Sequence, residues 1–281
     1  MKKTVIAILI AVLVVAIGGA LVFAGLSAVR YDFKRLDRTE YATNTHSVGM
    51  VNAIDVQCER ADVELAASGE ADCKVVCFEN NQEKYAVDAV DGTLVIRPEN
   101  KTTRWSLFGF AFKSPRITIY LPAGTYELLK VEMDTGDLTA DKALSFQNVE
   151  VEMGTGDLTL SGVQVQAMTA RGGTGDIRLS DMGAQTVDLS VSTGRIELNN
   201  VVCSGDLRCD SSTGDIRLTD VDGANLYLSA STGDIEGSIR TEKVFSAHTS
   251  TGKVSVPATT AGGRCEAQTS TGDIRLTISG K

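Results

Sequence analysis

The dipeptide Thr-Gly recurs at Thr135, Thr155, Thr174, Thr193, Thr213, Thr232, Thr251 and Thr271, at intervals of 20, 19, 19, 20, 19, 19 and 20 residues. Eight copies with one residue of drift are the signature of an array in which each copy is one unit stacked on its neighbours. The heptapeptide STGDIRL occurs twice, at Ser212–Leu218 and Ser270–Leu276, three periods apart.

Aligning the copies turns the sequence into columns. Two residues after each Gly stand Leu138, Leu158, Ile177, Ile196, Ile216, Ile235, Val254 and Ile274. Four before each Thr stand Val131, Val151, Ala170, Leu189, Cys209, Leu228, Ala247 and Ala267. Apolar and polar residues alternate on both sides of the Thr-Gly, which is the period of a half-buried strand and not of a helix. The expected fold is all-β: a single-stranded β-solenoid of about eight 19–20-residue rungs, with successive rungs in register at about 4.8 Å. Each rung is two short strands with a bend at Ser-Thr-Gly-Asp, where Gly lets neighbouring backbones approach.

The outward residues carry the charge. After each Gly come Asp137, Asp157, Asp176, Arg195, Asp215, Asp234, Lys253 and Asp273. Stacked carboxylates repel, so Arg195 and Lys253 read as relief. The next outward column alternates in sign from Arg178 through Glu197 and Arg217 to Glu236, which predicts ion pairs between rungs. The Asp residues are expected to bond amides of their own turns in Asx fashion, as a structural turn column. The competing reading, calcium at Gly172-Gly173-Thr174-Gly175-Asp176, falls one residue short of the Gly-Gly-x-Gly-x-Asp turn and meets basic interruptions, so no metal ligand is assigned. Ser250-Thr251-Gly252-Lys253 matches Ser-x-x-Lys, but it occupies ordinary repeat slots and begins no helix. No catalytic residue and no cofactor site are expected.

His46 and His248 have no Cys or His partner at ligand spacing and read as solvated. Cys209 and Cys265 fall in inward columns, where a thiol is a small hydrophobe. Cys73 and Cys77 would lie about 13 Å apart along one strand, too far to bridge. Cys58 with either of them stays open, and free thiols are expected.

Residues 5–29 contain no charged side chain. A helix of that length reaches about 38 Å and exceeds a hydrocarbon core of about 30 Å. Residues 1–29 are therefore expected to form an uncleaved single-pass anchor, with a cleaved signal peptide as the alternative. Arg30, Lys34, Arg35 and Arg38 follow the span and by counting favour a cytoplasmic C-terminus. The export-signal character of the segment favours the opposite, an extracytoplasmic C-terminal domain at the cell membrane. A polar juxtamembrane linker is expected over 30–47, an N-terminal β region and cap over 48–130, and the regular repeats over 131–281. Ala61-Asp62-Val63-Glu64-Leu65 echoes the repeat in degenerate form. The aromatic stretch with Trp105, Phe108, Phe110 and Phe112 is read as a plug over the first rung or as an interaction loop.

The chain has 27 Lys and Arg against 36 Asp and Glu, and residues 131–281 hold 12 and 21 of these, so the repeats carry the whole deficit. No basic face is available for a nucleic acid.

The run ITIYLPAGTYELLKVEMDTGDL, the DGTLVI hairpin, Trp105 and the Thr-Gly-Asp repeats together resemble the bacterial putative-adhesin family, over Val48 to Lys281. The resemblance implies a β-solenoid outside a bacterial membrane and supplies no catalytic residues. Three functions compete. The first is a structural or adhesin-like module binding an unknown envelope protein or glycan. The second is an accessory of envelope-stress signalling acting through a membrane partner. The third is a carbohydrate-active β-helix enzyme, which suffers because near-constant rung length leaves no inserted loop to wall a pocket. Five residues follow Leu276, too few to cover the last rung, so weak self-association through Thr277–Gly280 is expected at the C-terminal edge.

Overall fold

The computed structural model describes residues 15, 17–20, 23, 27, 40–80, 83–99, 114–140 and 144–279. The chain divides into two compact units, Met1–Glu40 with Thr102–Lys113 and Tyr41–Lys101 with Ser114–Lys281. In the first, residues 15, 17–20, 23 and 27 are helical, with Val15, Ile17 and Phe23 exposed. The rest of the expected anchor lies outside the described residues. Among the described residues no helix is long and apolar enough to cross a membrane.

The second unit is all strand. Its first part holds β1 (Tyr41–Gly49), β2 (Ala53–Arg60), β3 (Asp62–Ser68), β4 (Cys73–Asn80), β5 (Tyr85–Val90), β6 (Thr93–Pro98) and β7 (Arg116–Pro122). The repeats supply β8 (Thr125–Thr135) and β9 (Leu138–Ala140), β10 (Ser145–Thr155) and β11 (Leu158–Ser161), β12 (Gln164–Thr174) and β13 (Ile177–Ala184), β14 (Thr186–Thr193) and β15 (Ile196–Cys203). They continue with β16 (Asp206–Thr213) and β17 (Ile216–Val221), β18 (Asn225–Thr232) and β19 (Ile235–Ile239), β20 (Lys243–Thr251) and β21 (Val254–Ser255), β22 (Gly263–Thr271) and β23 (Ile274–Ile278).

Each repeat contributes one strand to each of two parallel walls, joined at the Thr-Gly corner. The expected columns form: Ile196 pairs Ile216, and Ile216 pairs Ile235. Their side chains are fully buried, each worth roughly 1.5–3 kcal/mol of apolar transfer. At the corner Gly175 has φ 134°, and a Cβ there would lie 1.9 Å from the Gly156 carbonyl oxygen. No other residue fits so close a stack.

The rungs do not stack in chain order at either end. One wall runs β6-β2-β8-β10-β12-β14-β16-β18-β22-β20, and the other runs β7-β3-β9-β11-β13-β15-β17-β19-β23-β21. Among the described residues the eight expected Thr-Gly rungs are all present, and two degenerate rungs, β2–β3 and β6–β7, join the same stack to make ten. At the C-terminal end the last rung in sequence slides inside the one before it. The inward residues give the reason. Cys265, Ala267, Ile274, Leu276 and Ile278 are buried in β22–β23, whereas Phe245, Ala247 and Val256 of the outer rung are half-exposed and Val254 is exposed. The rung with the better apolar set takes the position with neighbours on both sides.

Two expectations are corrected. The rung at the end of the stack is β20–β21, not β22–β23; β23 is paired with β19 over Ile274–Ile278 and with β21 at Ile274 and Arg275 only. Of the edge expected at Thr277–Gly280, Thr277 and Ile278 pair with Ser238 and Ile239 on one side and lie beyond the two residues covered by β21 on the other, and Gly280 lies outside the described residues. The linker over 30–47 also ends sooner. Tyr41–Gly49 is strand β1, antiparallel to β4, and its outward Thr43, Asn44 and Thr45 give it the composition of a loop. His46 sits half-buried on this strand.

The N-terminal end is closed by antiparallel strands. β5 pairs β6, β4 pairs β7, and β1 pairs β4. The aromatic residues Trp105, Phe108, Phe110 and Phe112 lie outside the described residues.

Candidate functional site

Each corner aspartate faces the next rung. Asp137 Oδ1 accepts the backbone N–H of Asp157, Asp157 Oδ1 that of Asp176, and Asp176 Oδ1 that of Arg195, all at 2.8 Å. Asp215 Oδ1 accepts from Asp234 at 3.1 Å, and Asp234 Oδ1 accepts from Asp273 at 2.7 Å. The amides are those of the neighbouring rung, where their own turn had been expected. This relieves the repulsion between stacked carboxylates, since each is tied to a donor. Asp62 begins the series by accepting from Asp137 at 3.2 Å, which gives the degenerate echo Ala61-Asp62-Val63 a purpose.

The second outward column supplies the countercharge. Arg178 bridges Asp157 at 2.7 Å and Asp176 at 2.5 Å. Arg217 bridges Asp215 and Glu236, both at 3.1 Å, and Arg275 reaches Glu236 at 3.6 Å. The Asp176 amide, and then Arg178, hold the Asp157 carboxyl below the usual carboxylate range. The Lys253 amide first, then Arg275, does the same for Asp273. Among the described residues no group of three or more His, Cys, Asp or Glu could hold a metal ion.

The six cysteines are free and buried. Burial pushes the thiols up to about 12 at Cys58, Cys77, Cys203 and Cys265, and to about 11 at Cys73. Such thiols are protonated packing groups and poor nucleophiles.

Several depressions lie among the described residues, one of about 440 Å³ between Met50 and Tyr126. A cleft of about 650 Å³ opens near the N-terminal end, where Gly154, Gly172 and Gly173 stand in corner slots that hold larger residues in most other repeats. Its floor is Cys58, Met133 and Met153, and its rim includes Glu132, Asp134, Glu152 and Arg171. A smaller dish of about 340 Å³ lies on the outer face of β16, β18, β22 and β20. It is lined by Arg208, Asp210, Tyr227, Ser229, His248, Glu266 and Gln268, with Ser246 and the backbone between them. The Arg208 guanidinium stacks 3.9 Å from the Tyr227 ring centroid. Tyr227 is the one aromatic residue in an outward column of residues 131–281, a signal legible in the aligned repeats and overlooked there.

A second feature escaped sequence reading. Lys243 is 3 % exposed, and its Nζ donates to Asp222 Oδ1 at 2.7 Å and to Thr241 Oγ1. Asp222 Oδ1 also accepts the Gly223 N–H and the Thr241 hydroxyl, each at 2.9 Å. This cluster fixes the step from β19 to β20, where the chain passes over one rung height.

Among solved structures, a "putative adhesin" from Bacteroides fragilis is similar at 17 % identity and a TM-score of 0.55, over 85 % of this chain and 97 % of that one. A "putative lipid binding protein" from Parabacteroides distasonis aligns at 14 % identity and a TM-score of 0.47, over 86 % and 98 % of the two chains. A "putative adhesin" from Parabacteroides merdae aligns at 17 % identity and 0.40, over 86 % and 98 %. No curated protein sequence matches. The first of these likenesses concerns the fold. Residues 51–281 match the model of the family described as Toastrack DUF4097, so the parallel stack, its Thr-Gly corners and its aspartate ladder are those of a member, and this chain belongs to that family.

Proposed function

We propose that the chain is a non-enzymatic interaction module of the bacterial envelope, a rigid β-solenoid tethered to the cell membrane by residues 1–29 and displayed on its outer side. One observation carries the reading. The corner carboxylates bond the backbone of the neighbouring rung, so they serve the scaffold and leave the other outward columns as a patterned surface for a partner. A solved protein with this fold carries the words "putative adhesin", which agrees with such a role. The uncharged stretch 5–29 and the exposed Val15, Ile17 and Phe23 support the tether.

The test is fractionation of cells expressing the full chain, followed by protease treatment of intact cells. The reading expects sedimentation with membranes that resists salt and carbonate, and protease access to the repeats from outside. Release by salt, or protection of the repeats until lysis, overturns it. Affinity capture from detergent-solubilised envelopes then separates the two roles: a membrane sensor points to signalling, and a glycan or wall polymer points to adhesion.

A further inference from the structure

Within the interaction-module reading, the dish on the C-terminal half of the outer face has the construction of a binding site. Two rows of outward residues meet there in strict register. Arg208 is opposite Tyr227, Tyr227 opposite Glu266, and Glu266 opposite Ser246. Two residues along the strands, Asp210 is opposite Ser229, Ser229 opposite Gln268, and Gln268 opposite His248. The grid is therefore about 4.8 Å between rungs and about 6.6 Å along the strands.

Concavity follows from side-chain length. Ser229 and Ser246 are short, and longer side chains stand on their flanks, so the surface sinks between them. The volume, about 340 Å³, falls at the lower end of small-ligand sites. No inserted loop is required. The dent comes from residue choice on a flat wall, which is why constant rung length did not reveal it.

The chemistry selects the ligand class. Arg208 is already paired with Asp206 at 3.2 Å, and Glu266 with Arg264 at 2.5 Å. These two charges are balanced by residues on their own strands, which leaves Asp210 as the dish carboxylate outside those pairs, an acceptor for a ligand's donors. What remains is a mixed array: carboxylate oxygens as acceptors, hydroxyls and the Gln268 amide as both donor and acceptor, the His248 ring, and one aromatic. The Arg208 guanidinium covers one face of the Tyr227 ring, and the face towards Glu266 is the apolar plate on offer to C–H groups. Asp210 is exposed to a ligand, with its carboxyl pushed up by partial desolvation and by nearby Asp188 against the lowering effect of the Ser229 hydroxyl and Arg208. A neutral molecule with several hydroxyls and an apolar C–H face satisfies all of these groups together.

We infer that the dish bounded by Arg208, Asp210, Tyr227, Ser229, His248 and Gln268 is a binding site for a neutral saccharide. The ring would lie against Tyr227 with its hydroxyls over Asp210, Ser229 and Gln268.

The test titrates the full chain, in detergent micelles, with the tetrasaccharides of β-linked N-acetylglucosamine, β-linked glucose and α-linked mannose, by calorimetry. Binding of at least one is expected, at the millimolar level or tighter. Tyr227→Ala should weaken that binding at least about tenfold, equivalent to about 1.4 kcal/mol. Ser229→Trp, which fills the dish, should abolish it while the melting midpoint stays within about 4 °C of the parent. Should Ser229→Trp melt lower, Ser229→Gln and Gln268→Ala provide the same reading with less bulk. Failure of all three sugars to bind overturns the inference, as does binding that these dish substitutions leave intact. Neither result touches membrane tethering or protein capture, so the wider reading stands or falls on its own experiments.

Discussion

Asp273 Oδ1 accepts the backbone N–H of Lys253 at 2.8 Å, so the later residue in the chain supports the earlier one from the inner side of the stack. Every other link between neighbouring repeats in the aspartate ladder runs the opposite way, from an earlier carboxylate to a later amide. The reversal is the local mark of the exchanged rung order. It also explains Lys253: at the outer rung no further amide waits for a carboxylate.

The exchanged order is testable by crosslinking. Ser229 and Gln268 are direct neighbours, as are Gln268 and His248, whereas Ser229 and His248 are two rungs apart. Neighbouring Cα atoms at about 4.8 Å suit a disulfide, and about 9.6 Å does not. The pair Ser229→Cys with Gln268→Cys should oxidise readily and produce a faster-migrating species on non-reducing gels. The pair Ser229→Cys with His248→Cys should stay reduced. Reversal of that pattern would restore chain-order stacking.

Gly175→Ala should be among the most damaging single changes in the molecule. Positive φ and a Cβ 1.9 Å from a backbone oxygen combine conformational strain with a clash that no side-chain movement relieves. A loss of roughly 3–4 kcal/mol is expected from urea unfolding. Asp176→Ala at the adjoining position removes a charge-assisted bond to the Arg195 amide and should cost less, about 1–2 kcal/mol.

Lys243 and Asp222 should behave as a unit. Asp222→Asn leaves an almost fully buried ammonium without its carboxylate, and a loss of roughly 3–5 kcal/mol is expected. Adding Lys243→Met to that variant should recover much of the loss, as measured by a double-mutant cycle of urea midpoints. Equal stability of the single and double variants would remove the pair from the account of the crossover.

Stability should fall at both pH extremes for opposite reasons. The Asp157 carboxyl is held low in the fold, so its contribution is present above the ordinary carboxylate range and is lost as acid protonates the folded state. The buried thiols are held high. Their contribution is complete below about pH 9, where the unfolded chain keeps its protons, and is lost as pH rises towards the folded values of about 11 and 12. Melting midpoints across pH 2 to 11 should trace a plateau with a shoulder on each side. At pH 8, a thiol reagent should label the native chain only at the rate of unfolding.

The repeats were legible because burial there is periodic. Ile196, Ile216 and Ile235 occupy one column, and spacing alone placed them. The exchange of the last two rungs was also written in the sequence, but only in comparisons between columns. Placing Arg275 directly after Glu236 prolongs the sign alternation by one step, and placing Lys253 last sends the basic residue to the end. Periodicity is silent on this, because adjacent repeats are interchangeable to a counting rule and distinguishable only by how well each fills a two-sided position. The N-terminal exchange was harder to see, since β2–β3 and β6–β7 retain alternation but not Thr-Gly. The dish escaped for another reason: concavity depends on relative side-chain length across four strands, and each strand taken alone looks like an ordinary polar face.

The closed N-terminal end and the interleaved C-terminal rungs confine variation in length to the middle. A duplicated or deleted repeat between β10 and β17 would leave both closures untouched and change the reach of the rod by one strand spacing, about 4.8 Å. The same event in β20–β23 would split a pair of rungs that hold each other in place. Length can thus change in one permissive zone, while each end acts as a unit that tolerates no such change.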